Sequence, residues 1–196
     1  MSVTTPALNN PTTGSDYSQA TGTWTIDASH SSLGFSVRHA MVAKTRGRFN
    51  DFEGTITLDG ANPTASTAAV TIKSESFDTQ SAERDAHIKS ADFLDVEQYP
   101  ELTFASSAIT VKGEDEFVLV GDLTVRGVTR PVSLDVQLLG VSKDPWGGTR
   151  IGFEAETEIS RKDFGLTWNV ALETGGVLVG DKVKITIDVE AVKQES

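Results

Sequence analysis

The chain contains no cysteine. That absence removes disulfides, thiolate nucleophiles, cysteine-based zinc sites and iron–sulfur clusters together. Nor does any stretch approach the roughly 18 consecutive apolar residues that a transmembrane helix requires. The opening segment, MSVTTPALNNPTTGSDYSQATG, holds no Lys or Arg and no apolar core. It therefore does not read as a secretory signal peptide, and a cytoplasmic protein is expected. Positive charge is also scarce, with 17 Lys and Arg against 28 Asp and Glu, a net charge of −11. Such a balance repels phosphate backbones, which argues against nucleic acid as a partner. The signatures of common catalysts are missing too: no G-x-S-x-G elbow, Walker A loop, H-E-x-x-H helix or G-x-G-x-x-G turn. No cofactor, catalytic residue or metal site is expected, and the protein is not read as an enzyme.

What is present is alternation. Val183, Ile185, Ile187 and Val189 oppose Lys184, Thr186, Asp188 and Glu190. Val132, Leu134, Val136 and Leu138 oppose Ser133, Asp135 and Gln137, and Ile151, Phe153, Ala155 and Ile159 oppose Glu154, Glu156 and Glu158. A period of two over such lengths means strands with one dry face and one wet face, as in antiparallel sheets. Runs bounded by turn residues place about eight strands near 24–39, 45–59, 66–77, 101–112, 116–126, 128–142, 149–160 and 181–193. Strands this long with one apolar face must close on themselves or stack, and closure also removes exposed edges. The expected fold is thus an extended eight-stranded antiparallel, lipocalin-like β-barrel in one domain over 23–196. Residues 1–22 have almost nothing to bury and read as a disordered tail.

Three local features refine this. Residues 80–95 carry helix formers after Ser81, a candidate N-cap, with Glu83 and Asp85 suited to a first turn. A short helix across one barrel end is expected. Phe49 and Phe52 have opposite parity, so both can point inward only if a β-bulge near Asn50 and Asp51 absorbs one residue. Gly121 falls in phase within a strand and marks a bend or bulge.

Several short motifs, taken in order, resemble one known family. They are Trp24-Thr25-Ile26-Asp27 with His30-Ser31, Phe35-Ser36-Val37-Arg38-His39, Gly47-Arg48-Phe49 and Phe52-Glu53-Gly54. Ser76-Phe77-Asp78-Thr79, Asp85-Ala86-His87-Ile88, Asp92-Phe93-Leu94-Asp95 and Tyr99-Pro100 follow, then Gly121-Asp122-Leu123-Thr124 with Gly127 and Arg161-Lys162-Asp163-Phe164-Gly165. From about Trp24 to about Val192 the chain resembles the YceI-like family of polyisoprenoid-associated barrels. The resemblance implies an eight-stranded barrel with a helix near one end, whose interior sheathes the prenyl chain of a quinone or polyprenyl lipid.

On this reading the cavity would be lined by Phe35, Val37, His39, Phe49, Phe52, Phe104, Leu123, Phe153, Phe164 and Trp168. For any one of them core filler is the safer reading, because an eight-stranded barrel can fill its interior with side chains alone. An inward His39 needs a polar partner, supplied either by the protein or by a ligand headgroup. Between Asp27 and Asp51 there is no acidic residue, yet Arg38, Lys44, Arg46 and Arg48 all fall there. This basic hairpin is either a charge-guarded edge or a surface for a headgroup or a transient membrane contact. Arg161 and Asp163 read as a local ion pair or cap in a turn. His30 and His39 are too few and scattered to argue a metal site.

The leading expectation is a carrier that binds an isoprenoid lipid or quinone without chemistry. Two rivals stand beside it: an enzyme or redox accessory using His39 on a bound quinone-like molecule, and an interaction module with a solid barrel. Strand edges or a barrel mouth leave a homodimer open.

Overall fold

The computed structural model describes residues 17–195. Eleven strands run in one antiparallel sheet: β1 (Gly22–Ile26), β2 (Ser32–His39), β3 (Ala43–Phe49), β4 (Phe52–Leu58), β5 (Thr67–Lys73), β6 (Phe77–Asp78), β7 (Glu101–Val111), β8 (Glu116–Val125), β9 (Val128–Lys143), β10 (Thr149–Ser160) and β11 (Val179–Lys193). The ring closes through β1, which pairs with both β4 and β11. Eight staves result, because β1 with β2, β3 with β4, and β5 with β6 are each one stave broken in the middle. The stave limits follow the eight alternating runs of the sequence closely.

The three breaks lie side by side. Residues 27–31 leave the sheet between β1 and β2, Asn50 and Asp51 between β3 and β4, and Ser74–Ser76 between β5 and β6. Asn50 N–H donates to the Ser76 carbonyl and Lys73 N–H to that of Asp51, so neighbouring breaks satisfy each other across the seam. The irregularity expected at Asn50 and Asp51 is one part of this seam. It lets Phe49 and Phe52 both face inward, as a bulge or a break must when parity changes. The Gly121 irregularity falls on the partner strand, where Ser107 is the extra residue between Ser106 and Ala108. Gly121 itself is required by a close approach: a Cβ there would stand 2.4 Å from Phe104 Cζ and 2.6 Å from the Ala105 carbonyl.

Strand β11 is the keystone. It pairs with β10 from Lys182 to Val192 on one side, and on the other with β2 and then, past the seam, with β1.

Helix α1 (Ala82–Lys89) is shorter than the 80–95 segment suggested. It stops because Phe93 and Leu94 turn down into the core, only 4% and 7% exposed. Ser81 holds the N-cap position without a side-chain cap bond. The anchoring is done instead by Asp85, whose Oδ1 accepts from Thr79 N–H and Oγ1. The tail expected over 1–22 is structured from residue 17 onward, and its earlier part lies outside the described residues. Tyr17–Ala20 form one 3-10 turn, with Tyr17 against Phe117 and Ala20 accepting from Trp24 Nε1 at 2.8 Å. Aromatic burial at Tyr17 and Trp24 outweighs the polar composition around it.

Packing concentrates at the two ends. Phe77, Leu94, Leu102, Val125 and Phe164 form one buried cluster, and Ala20, Trp24, Ile151 and Ala191 another. Between them Ile26, Phe52 and Leu134 are buried, but many inward side chains are only half buried, including Phe104, Val136, Phe153 and Ile185. Apolar residues that face inward yet keep accessible surface are facing space, not one another.

Candidate functional site

That space is a cavity of about 420 Å³, running from Tyr17 and Leu58 at one end to His39 and Arg84 at the other. Every stave contributes to its wall. The volume lies within the roughly 300–1,000 Å³ typical of small-molecule sites. The barrel is therefore not solid. A pure core filler would have removed this volume, since packed interiors leave few voids larger than a water molecule.

Phe35, Val37, Phe49, Phe52, Phe104, Leu123, Phe153 and Phe164 all stand on the cavity wall. Phe35 stacks on Phe77 with ring centroids 5.1 Å apart, and Phe49 meets Phe77 edge-on at 5.7 Å. Gly47, directly across from Phe35, makes room for that ring, which would come within 2.4 Å of any Cβ there.

His39 keeps the inward parity but stands at the rim, exposed, paired in register with Val179 and Ala43. It needs no internal partner because water reaches it. Trp168 is a correction, for it is absent from the cavity wall. Its ring packs edge-on to His87 at 4.6 Å and against Phe93 at 5.2 Å, tying the loop after β10 to α1. Those three rings lie at the same end of the barrel as His39; because the cavity wall there reaches the exposed, polar Arg38 and His39, we call this end the mouth.

Arg161 is a second correction. The structure gives it no bond to Asp163. Its side chain continues the inward parity of Ile151, Phe153, Ala155, Thr157 and Ile159, and it is 4% exposed. Nε donates to the Gly180 carbonyl at 2.8 Å, Nη1 to those of Leu166 and Trp168 at 2.6 and 2.9 Å, and Nη2 to that of Val179 at 3.2 Å. Burial pulls the guanidinium below its ordinary pKa, and the Asp181 carboxylate opposes that shift. The signal was present in the sequence as uninterrupted parity into residue 161, but a charged side chain at a strand end reads as solvent-facing.

The basic hairpin is real. Phe35, Val37, Thr45 and Phe49 line the inside, so Arg38, Lys44, Arg46 and Arg48 share the outer face, with Arg38 directly opposite Lys44. Arg38 also borders the mouth. Arg48 lies 3.9 Å from Asp78, whereas Arg38, Lys44 and Arg46 have no side-chain hydrogen bond or ion pair among the described residues. Charged wall residues are polarised along the barrel: Arg38, Arg84 and Arg161 at the mouth, Asp59 at the far end.

One cluster outside the cavity has the residue types of a metal site. Asp27, His30 and Glu190 present ligand atoms within 4.8 Å of one another at the seam. Arg150 already supplies the cation, bonded to Asp27 Oδ2 at 2.9 Å, to Glu190, and to Asp144 Oδ2 at 3.2 Å. The Ser29 hydroxyl, Arg150 and His30 hold the Asp27 carboxyl well below the usual carboxylate range. This is an ion-pair network that ties β1, β10 and β11 together. His30 and His39 lie at opposite ends of β2 and do not meet.

Comparison with known proteins agrees with this architecture. The model of the YceI-like domain matches residues 24–191. The chain belongs to the YceI-like domain family. Protein YceI of Escherichia coli O157:H7 is 43% identical over 169 residues, covering 86% of this chain and 85% of that relative. The crystal structure of Burkholderia cenocepacia BcnA superposes with a TM-score of 0.72 at 25% identity, over 84% of this chain and 98% of that one. A polyisoprenoid binding domain from Saccharophagus degradans shares the fold, with a TM-score of 0.63 at 16% identity over 87% and 98% of the two chains. Among the described residues no helix is long and apolar enough to cross a membrane.

Proposed function

We propose that this protein binds and carries a long apolar isoprenoid lipid, a polyprenyl chain or the tail of an isoprenoid quinone, by sequestration and without reacting with it. The observation that carries the reading is the continuous apolar cavity between two packed ends. The relative from Saccharophagus degradans described as a polyisoprenoid binding domain supports it. Burying hydrocarbon is worth up to about 0.8 kcal/mol per CH₂. A few isoprene units thus outweigh the association cost of roughly 4–15 kcal/mol. Affinity then comes from the tail, and the ligand's polar end belongs at the mouth, where His39 and the wall arginines stand.

Native mass spectrometry of protein purified from its own cells, followed by organic extraction, tests this. A bound mass that extracts as a prenylated compound is expected. Protein that stays empty after incubation with several prenyl lipids would overturn the proposal.

A further inference from the structure

The mouth carries a feature that neither the cavity nor the fold requires. The β2–β3 turn holds Ala40 and Met41 at φ 48 and 63, the left-handed region that favours glycine or asparagine. At its tip Met41 is 53% and Val42 87% exposed. The loop between β10 and β11 lies beside it, since Ala40 N–H donates to the Leu178 carbonyl and the Met41 side chain rests against Gly176. That loop exposes Val170 and Val177 in turn. Directly behind this apolar tip stand the unpaired cations Arg38, Lys44 and Arg46, on the outer face of the same hairpin.

Three unpaired cations in sequence neighbourhood are unexpected in a chain of net charge −11. Solubility explains neither part, because an exposed apolar tip opposes it and an acidic protein gains nothing from a local positive patch. Together they match an anionic lipid bilayer. Its headgroups attract the cations, and its acyl boundary accepts the apolar side chains that project beyond them. Glu173 lies in that adjoining loop and Glu83 on α1, so the electrostatic part of the contact falls to the hairpin cations.

We infer that the β2–β3 hairpin tip and the adjoining loop form a docking surface for anionic membranes, holding the cavity mouth against the bilayer from which a lipid enters. The docking site rests on the carrier reading for its purpose, while its geometry stands on the hairpin alone. Its occupant is the bilayer surface itself; a protein partner for the same patch is the alternative that the experiment excludes.

The test is cosedimentation of the full chain with vesicles of phosphatidylcholine containing phosphatidylglycerol, against vesicles of phosphatidylcholine alone. Binding to the anionic vesicles only, weakening with added salt, is expected. Each cation near an anionic surface contributes roughly fivefold in affinity, so Arg38→Gln, Lys44→Gln and Arg46→Gln combined should weaken binding on the order of 100-fold. Val42→Asp should weaken it as well, while Trp146→Ser at the far end, equally exposed, should leave it unchanged. Wild-type protein that ignores the anionic vesicles, or a triple variant that binds them equally, overturns the proposal. Failure here and failure of the carrier reading are separable by native mass spectrometry on the same samples. Protein that carries a prenyl lipid yet ignores vesicles refutes docking alone, whereas protein that docks but never acquires a lipid keeps docking and refutes the carrier.

Discussion

Replacing Ala155 by phenylalanine should block the cavity from inside. Ala155 faces inward at mid-barrel, between Val136 of β9 and Ile187 of β11, and its methyl group is part of the wall. The new ring would occupy the space of about one isoprene unit. Five carbons at up to about 0.8 kcal/mol each come to about 4 kcal/mol, close to a thousandfold in dissociation constant. Overpacking a filled core usually costs about 1–3 kcal/mol. Here the ring enters empty volume and buries itself, so the melting temperature should stay within a few degrees of wild type. Titration of a prenyl lipid, read by calorimetry beside a thermal melt, checks both halves. Glu154→Phe is the control, one residue along on the outer face. The reasoning is refuted if Ala155→Phe melts normally and binds the lipid as wild type does, or if Glu154→Phe loses binding equally.

Arg161→Met should destabilise the mouth, because four backbone carbonyls lose a buried donor. At about 1–3 kcal/mol per unsatisfied group, and with water from the cavity satisfying some, a loss of about 3 kcal/mol or more is expected in urea denaturation. Arg161→Lys should not restore it, since one ammonium cannot span the fork. Asp27 predicts the direction of acid sensitivity. Its native pKa is depressed, chiefly by Ser29 and Arg150, so its stabilisation is complete above the ordinary carboxylate range and is lost as pH falls below it. Asp27→Asn should therefore be less stable than wild type near neutral pH. The difference should shrink at about pH 3, read as converging denaturation midpoints.

The staves were legible because each has one dry and one wet face, and β11 shows this most clearly: Val183 to Val189 inside, Lys184 to Glu190 outside. The seam was legible at only one of its three places. Phe49 and Phe52 betray a change of parity within two residues, whereas the breaks at 27–31 and 74–76 are filled by serines and turn residues that a continuous strand also tolerates. At the site, the wall aromatics followed from parity, and Trp168 did not, because it lies on an irregular loop where parity has no meaning. Arg161 was missed for the opposite reason. Its parity was informative, but its charge argued against burial, and only tertiary contact with the loop carbonyls resolves the conflict. The apolar hairpin tip escaped notice because Met41 and Val42 are ordinary residues whose exposure is a property of the turn.

The placement of β11 also sets a schedule for synthesis. Every earlier stave can pair with a neighbour made close to it in time, but one edge each of β10, β2 and β1 waits for residues 179–193. Until that strand leaves the ribosome, the nascent chain is an open trough with its greasy lining uncovered. Closure links the earliest and latest strands across the whole sequence, the kind of distant pairing that folds slowly. The growing chain thus has its greatest need of chaperone cover just before the last strand arrives. A nonsense mutation that removes only β11 would leave nine-tenths of the polypeptide translated and no enclosed volume at all.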